Sequence, residues 1–343
     1  MKNILIITKR VDEDDQLLGF FIDWIKGFAS KFGKINIFCL EKGSFDLPGN
    51  AEVISLGKDK KLPKIAWLFN FYKNGWKRRN EYDAVFVHMN AIWAVVGAWF
   101  WHMLGKKVFL WYAHKTITWK HRIAEKLVDG IFTSTPEGFR LPSKKLAIVG
   151  QGINVDLFRP DLSKRPTFLA LLSVGRIAPV KNYETLIEAA KLLNNRQADF
   201  FVTVVGAPAV EGDEVYEQRL KNRVKTLGLE SRFNFVGKVS NRNLPSYYQS
   251  HHIYINLSRT GSLDKTIVEA MACGCTVLSS NDSAVQFLPP ELVVSDKDSE
   301  QLARKIQEVA GRDYGRQLRE YVVENHSLDK LIEKISAAIY RKL

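Results

Sequence analysis

Cysteine is scarce. The 343 residues contain three (Cys39, Cys273 and Cys275), an odd number too small for a disulfide framework, which points to a reducing cytoplasm. Cys273 and Cys275 form a Cys-x-Cys, but no other Cys or His pair supplies a second zinc half-site, so small packing residues explain them better. No apolar run approaches the roughly 20 residues that span a bilayer. The opening Met-Lys-Asn-Ile-Leu-Ile-Ile-Thr lacks the apolar stretch and small-residue cleavage site of a secretion signal. Negative charge is also short: 37 Asp and Glu face 50 Lys and Arg, a net +13. The shortage is local, because residues 1–160 hold 25 basic against 15 acidic residues and the remainder 25 against 22. An anionic partner would meet the first half.

What is present suits two folded units. A hydrophobic content of 46% with 25% charged residues fills real cores, and the length fits two domains better than one. Short β-branched runs at 3–8, 35–40, 51–56, 84–88 and 107–112 read as buried strands. Between them, 16–32, 62–79 and 91–104 carry helical spacing of apolar residues. After the linker-like Arg159-Pro160 and Arg165-Pro166 the alternation resumes, with strands at 168–174, 200–205, 232–236, 253–257, 276–279 and 292–295 and a helix at 183–193. Strand–helix alternation predicts an α/β fold of two Rossmann-like, doubly wound parallel sheets. The expected domains are 1–160 and 161–326, with a helix at about 327–343 packing back on the first. Ligands gather at the carboxyl ends of such strands, and a cleft between two facing domains is the expected place.

Two stretches carry chemistry. Ser173-Val-Gly-Arg-Ile-Ala-Pro-Val-Lys-Asn-Tyr-Glu brings Arg176 and Lys181 off a strand end through the loop at Gly175, where two cations suit a diphosphate. Ser258-Arg-Thr-Gly-Ser-Leu-Asp-Lys-Thr-Ile-Val-Glu-Ala-Met-Ala-Cys-Gly turns from Gly261 through Lys265 into a helix at 266–273. The first amides and positive dipole end of that helix make an anion site. Glu269, one turn in, is placed to accept from ribose hydroxyls. Taken singly, Arg176 and Lys181 are equally a solvated loop and Glu269 a surface position; their joint placement favours function.

These stretches resemble the donor-binding motifs of glycosyltransferase family 4, the group 1 glycosyltransferases, which are retaining enzymes of the GT-B fold. Phe235-Val-Gly-Lys-Val, residues 244–248, Ile253-Tyr-Ile-Asn-Leu-Ser and Val149-Gly-Gln-Gly-Ile-Asn-Val-Asp-Leu-Phe follow in the family's order. The resemblance is strong from about 130 to 325. It implies that Arg176 and Lys181 clamp the diphosphate and that Glu269 is the second Glu of the family's Glu-x7-Glu. The first Glu, which in the family sits beside the transferred sugar, falls at Gly261, so this sequence departs from the pattern there. Asp264, at the expected helix N-cap, is the nearest substitute, and Ser262 and Leu263 would offer backbone amides. The implied reaction is transfer from a nucleotide sugar to a glycan or lipid-linked acceptor, with no metal or cofactor. A sugar-nucleotide-binding protein that has lost transfer is the alternative.

In the first half, Trp111-Tyr-Ala-His-Lys puts His114 at a strand end, where the family often has a His near the donor sugar or acceptor. A strand-capping or core histidine is the other reading. His88, with Asn90 beside it, ends the preceding strand. Gly19, after Asp12 and Asp15, lies where the family's first loop approaches the acceptor, or in a plain acidic turn. Residues 58–79 hold eight cations, one carboxylate and several large rings. They suit either an anionic membrane surface, to which Trp93, Trp99 and Trp101 would add, or a packed helix with a basic face. Nucleic acid is not an expected partner, since no recognition helix, zinc finger or RNP-like strand is present.

Overall fold

The computed structural model describes residues 1–15 and 17–343. It divides into two compact units, Met1–Asn154 with His326–Leu343, and Val155–Asn325. The first boundary precedes residue 160 because Arg319 donates to the carbonyls of Val155 and Phe158, which claims that segment for the second unit. Ile153, by contrast, exchanges backbone hydrogen bonds with His326 and Leu328.

In the first unit, β1 (Ile4–Val11), β2 (Ile35–Lys42), β3 (Ala51–Ser55), β4 (Ala84–His88), β5 (Lys107–Trp111), β6 (Gly130–Thr133) and β7 (Leu146–Ile148) pair in parallel, in the order 3-2-1-4-5-6-7. Successive side chains serve opposite cores. Ile4, Ile6, Ala84, Phe86, Phe109 and Trp111 enter one, and Leu5, Ile7, Val85, Val87, Val108 and Leu110 the other, the period of two that a sheet buried on both faces requires. Helix α1 (Phe21–Ala29) covers the first core. The second is covered by α2 (Lys64–Lys77), α3 (Ala91–Met103) and α4 (Trp119–Leu127).

In the second unit, β8 (Leu169–Val174), β9 (Phe200–Val205), β10 (Phe233–Gly237), β11 (Ile253–Asn256) and β12 (Thr276–Ser279) are parallel in the order 10-9-8-11-12. Around them run α5 (Tyr183–Asn195), α6 (Asp213–Thr226), α7 (Leu244–Gln249), α8 (Lys265–Ala272), α9 (Ser299–Val309) and α10 (Gly315–Asn325). The last helix, α11 (Leu328–Tyr340), belongs to the first unit and packs Leu331, Ile332, Ile335 and Ile339 into the α1 core.

The two cysteines of Cys273-Gly-Cys275 are explained by a helix stop. Gly274 takes φ +76°, its N–H bonds to Met271 O, and the Cys275 N–H bonds to Ala270 O, the paired pattern that ends a helix at a left-handed glycine. Both thiols are fully buried, and burial pushes that of Cys275 up to about 12.

Three expectations need correction. Residues 292–295 are not a strand: Pro290–Leu292 is a 3-10 turn, and Val293 makes one isolated bridge to Ser279. The helix expected from 16 starts at Phe21, since the Asp15 carboxylate binds the Leu17 and Leu18 amides in a turn; Gln16 itself lies outside the described residues. Two further strands, β6 and β7 of four and three residues, are absent from the expected set; runs this short carry little periodicity to mark them.

Candidate functional site

In the second unit the carboxyl ends of three neighbouring strands are stripped of side chains. Gly175 follows β8, Gly206 follows β9 and Gly237 ends β10. A Cβ on Gly206 would stand 1.9 Å from the Gly175 carbonyl oxygen, so these loops touch backbone to backbone and only glycine fits. Arg176 leaves this cradle for Asp213, the first residue of α6, with Nε 3.8 Å from Oδ2. It does not point at α8, contrary to the expectation of two cations converging there.

Lys181 does reach α8. A 3-10 turn at Pro179–Lys181, ended by Asn182 in the left-handed region (φ +54°), aims the side chain across the sheet end. Its Nζ lies 2.5 Å from Asp264 Oδ2 with both side chains about 15% exposed. Asn256, at the end of β11, donates to the same oxygen at 3.0 Å, and the Thr260 hydroxyl lies 3.3 Å from the other. Burial opposes ionisation of Asp264, but the Lys181 charge and these hydrogen bonds prevail and hold its carboxyl below the usual range. Asp264 occupies the N-cap position of α8 without capping it, because its side chain is spent on Lys181. The pair sits between β8 and β11, where the strand order reverses.

Gly261, Ser262 and Leu263 form the bend before α8. Gly261 takes φ +65°, and Ser262 and Leu263 are buried. The bend is latched by Asn281, which is fully buried just after β12 and donates to Ser258 Oγ (3.1 Å) and Ser262 O (2.9 Å). Lys265 opens the helix. Glu269 is 2% exposed, which removes the surface reading. Its Oε2 accepts from the Tyr248 hydroxyl at 3.0 Å and its Oε1 from Asn241 Nδ2 at 3.2 Å, and burial raises its pKa. Asn256, Asn281, Asn241 and Tyr248 carry this network and were not singled out by the sequence; Asn256 lies in the quoted Ile-Tyr-Ile-Asn-Leu-Ser, but an asparagine on its own signals nothing.

In the first unit the strand order reverses between β1 and β4. There Thr8 Oγ1 lies 3.2 Å from His88 Nδ1. The His88 ring stacks on Phe21 at 4.0 Å, against Phe20 and Trp24, and the residue is 2% exposed. His88 is thus packed into the core at the strand end. Asn90 follows a tight turn in which Met89 takes φ +62° and the Asn90 N–H bonds to His88 O. His114 is half-buried, three residues past β5. Its backbone N–H bonds to Gly138 O, and its Nδ1 accepts from the Thr116 amide at 3.1 Å, which leaves the ring proton on Nε2. His121, which the sequence reading overlooked, caps α4 through Nδ1 to the Thr118 amide and hydroxyl. Burial and the nearby His114 lower its pKa. Gly19 donates to Asp15 O, and a Cβ there would stand 2.6 Å from that oxygen. Asp15 is paired with Arg10, so the acidic loop is a structured turn.

Residues 154–329, just over half of the chain, match the family model described as glycosyl transferases group 1. The mannosylfructose-phosphate synthase of Agrobacterium fabrum is 30% identical over 178 residues, 45% of this chain and 39% of that protein. The GDP-mannose-dependent alpha-(1-6)-phosphatidylinositol monomannoside mannosyltransferase of Mycobacterium tuberculosis is 25% identical over 223 residues, 57% and 56% of the two chains. This chain thus spans less than two thirds of both relatives. Among solved structures, Anabaena Alr3699/HepE in complex with UDP and glucose superposes with a TM-score of 0.81 at 15% identity, over 99% of this chain and 100% of that one. That likeness shows the GT-B fold.

Proposed function

Since the chain belongs to the group 1 glycosyl transferases, we propose that it moves a sugar from a nucleotide-sugar donor to a glycan or lipid-linked acceptor, as a retaining enzyme of family 4. The observation that carries this reading is the largely solvent-shielded Lys181–Asp264 pair beside a side-chain-free strand edge, at the point where ligands of doubly wound sheets collect. Named relatives that are a synthase and a mannosyltransferase favour turnover over binding alone.

In this reading the donor's diphosphate takes Lys181 as its principal counter-charge. Arg176 joins it, because a 3.8 Å ion pair to Asp213 on a partly exposed side chain costs little to exchange. An acceptor hydroxyl bonds to the anomeric carbon as the bond from that carbon to the phosphate oxygen breaks. The electron pair leaves with the nucleoside diphosphate, whose phosphate takes the acceptor's proton. Charge builds up on that leaving group, and Lys181, Arg176 and the first turn of α8 stabilise it without a metal or cofactor. Asp264, kept ionised by Lys181, supplies the carboxylate that Gly261 does not. Each Glu269 oxygen retains a lone pair beyond its present bond for a ribose hydroxyl. His114, its ring held at Nδ1 by the Thr116 amide, is the first unit's candidate for contact with the sugar or acceptor. Incubating UDP-, GDP- and ADP-sugars with envelope extract should release nucleotide from at least one donor; tight binding with no release from any would contradict transfer.

The acceptor side of the proposal rests on a surface of the first unit. No helix among the described residues is long and apolar enough to cross a membrane. Ile65, Phe69 and Trp76 of α2 and Trp99 and Met103 of α3 are all more than half exposed. Tyr72 and Trp99, ring centroids 5.9 Å apart, join the two helices. Lys73 lies over Phe69 and Arg79 over Trp76. Apolar side chains with cations at their level fit the headgroup region of an anionic bilayer, so the enzyme works at the cytoplasmic membrane face. Trp93 and Trp101 take no part, being buried in the core.

A further inference from the structure

At the amino-terminal edge of the second sheet, the end opposite the Lys181–Asp264 pair, lies a cavity of about 200 Å³. Its inner wall is formed by Leu169, Ile253 and Thr276, the first residues of β8, β11 and β12. The polar groups around it are Arg165, His252, Arg312 and Asp313. Arg165 donates one guanidinium nitrogen to Gly274 O at 2.5 Å, while its Nε is buried with no hydrogen-bond partner. A buried, unused charged donor is costly and signals a missing acceptor. His252 accepts the Ala170 amide at Nδ1, so its Nε2 carries the proton and is a second donor. Burial and the Arg165 charge both lower the His252 pKa. Arg312 is exposed beside the opening and, like Arg165, is in no ion pair among the described residues. Asp313 is the one carboxylate of the lining, and its Oδ1 is occupied by the Gly315 amide.

We propose that this cavity is a second binding site, separate from the donor site, for a phosphate group, either as the free ion or as a small phosphomonoester. Two arginines outweigh one carboxylate, and their donors, with His252 Nε2, suit a tetrahedral oxyanion. The volume corresponds to several waters, at about 30 Å³ each, so a phosphate leaves room for a few further atoms against Leu169 and Ile253.

The test is thermal melting in inorganic phosphate, with chloride at matched ionic strength as the control. Lys181→Ala protein is used so that phosphate at the donor site does not contribute. The expected result is a saturable rise specific to phosphate, with affinity reduced about tenfold by Arg312→Gln, as for loss of one charge-assisted contact. Arg165→Lys, which keeps the charge but removes the Nε donor, should weaken binding likewise; Arg312→Gln alone decides if that variant does not fold. A glucose 6-phosphate arm separates the two sources: tighter binding than inorganic phosphate identifies a phosphomonoester, weaker binding the free ion. No phosphate-specific rise, or one that neither arginine variant changes, would overturn the proposal.

Discussion

Lys181 and Asp264 form an ion pair of 2.5 Å at the meeting point of β8 and β11, with both side chains largely out of solvent. Removing one member of a buried pair strands the other, and such losses reach about 3 kcal/mol or more. Asn256 and Thr260 still bond to Asp264, so Lys181→Ala should cost less than that. The double variant Lys181→Ala/Asp264→Asn should regain most of the loss in a urea-unfolding cycle. The Asp264 pKa is depressed in the fold, so the stability that the pair contributes is present above the unfolded value near 4 and fades as pH falls below it. The gap between wild type and Asp264→Asn should close in that acid range.

Glu269 behaves in the opposite sense. Burial raises its pKa, so the folded state is penalised for carrying its charge, and the penalty disappears as pH falls towards the unfolded value near 4. Glu269→Gln should therefore melt at or above the wild-type temperature at pH 7, with the difference shrinking in acid. It should also lose most of the stabilisation that a nucleotide gives. A melting series in pH, with and without UDP, reads both.

Gly261 holds φ +65°, and a residue with a Cβ pays about 1–2 kcal/mol to sit there. Gly261→Ala and Gly261→Glu should both be destabilised by that amount in chemical unfolding, and Gly261→Asn by less. If the backbone is what matters, Gly261→Glu should not raise the rate of sugar transfer despite restoring the family's carboxylate.

The tryptophans of the first unit should separate cleanly. Trp76→Ser and Trp99→Ser remove exposed rings and should leave melting nearly unchanged while weakening sedimentation with phosphatidylglycerol vesicles. Trp101→Ala opens the core against Phe71 and should cost about 3–5 kcal/mol. Wild-type binding to those vesicles should fall steeply with salt; no binding at low salt would rule out this surface as a membrane contact.

The strands at β1, β2, β8 and β9 were legible because their apolar runs, six to eight residues each, are long enough to bury both faces. The motif loop was legible because Gly175, Arg176, Lys181 and Glu269 sit at fitting distances along the chain. What sequence could not supply was the choice of partner. Arg176 meets Asp213, 37 positions away, and Lys181 meets Asp264, 83 positions away; Asp264 stood out by its place before the helix, but nothing local assigned either carboxylate to its cation. Trp93, Trp99 and Trp101 read alike as letters, and only the helical rotation of α3 sends two inward and one outward. Histidine was similarly ambiguous: His88 and His114 both end a strand or follow one closely, yet Phe21 covers the first and the second is only half-buried.

The most direct measurement is calorimetric titration of UDP and GDP into wild-type and Lys181→Ala protein. At least one nucleotide should bind the wild type in the micromolar class and lose at least about tenfold in the variant, as expected for a charge-assisted phosphate contact. Equal affinity of both proteins for the nucleotide that binds would contradict it, because the diphosphate would then be held by something other than Lys181.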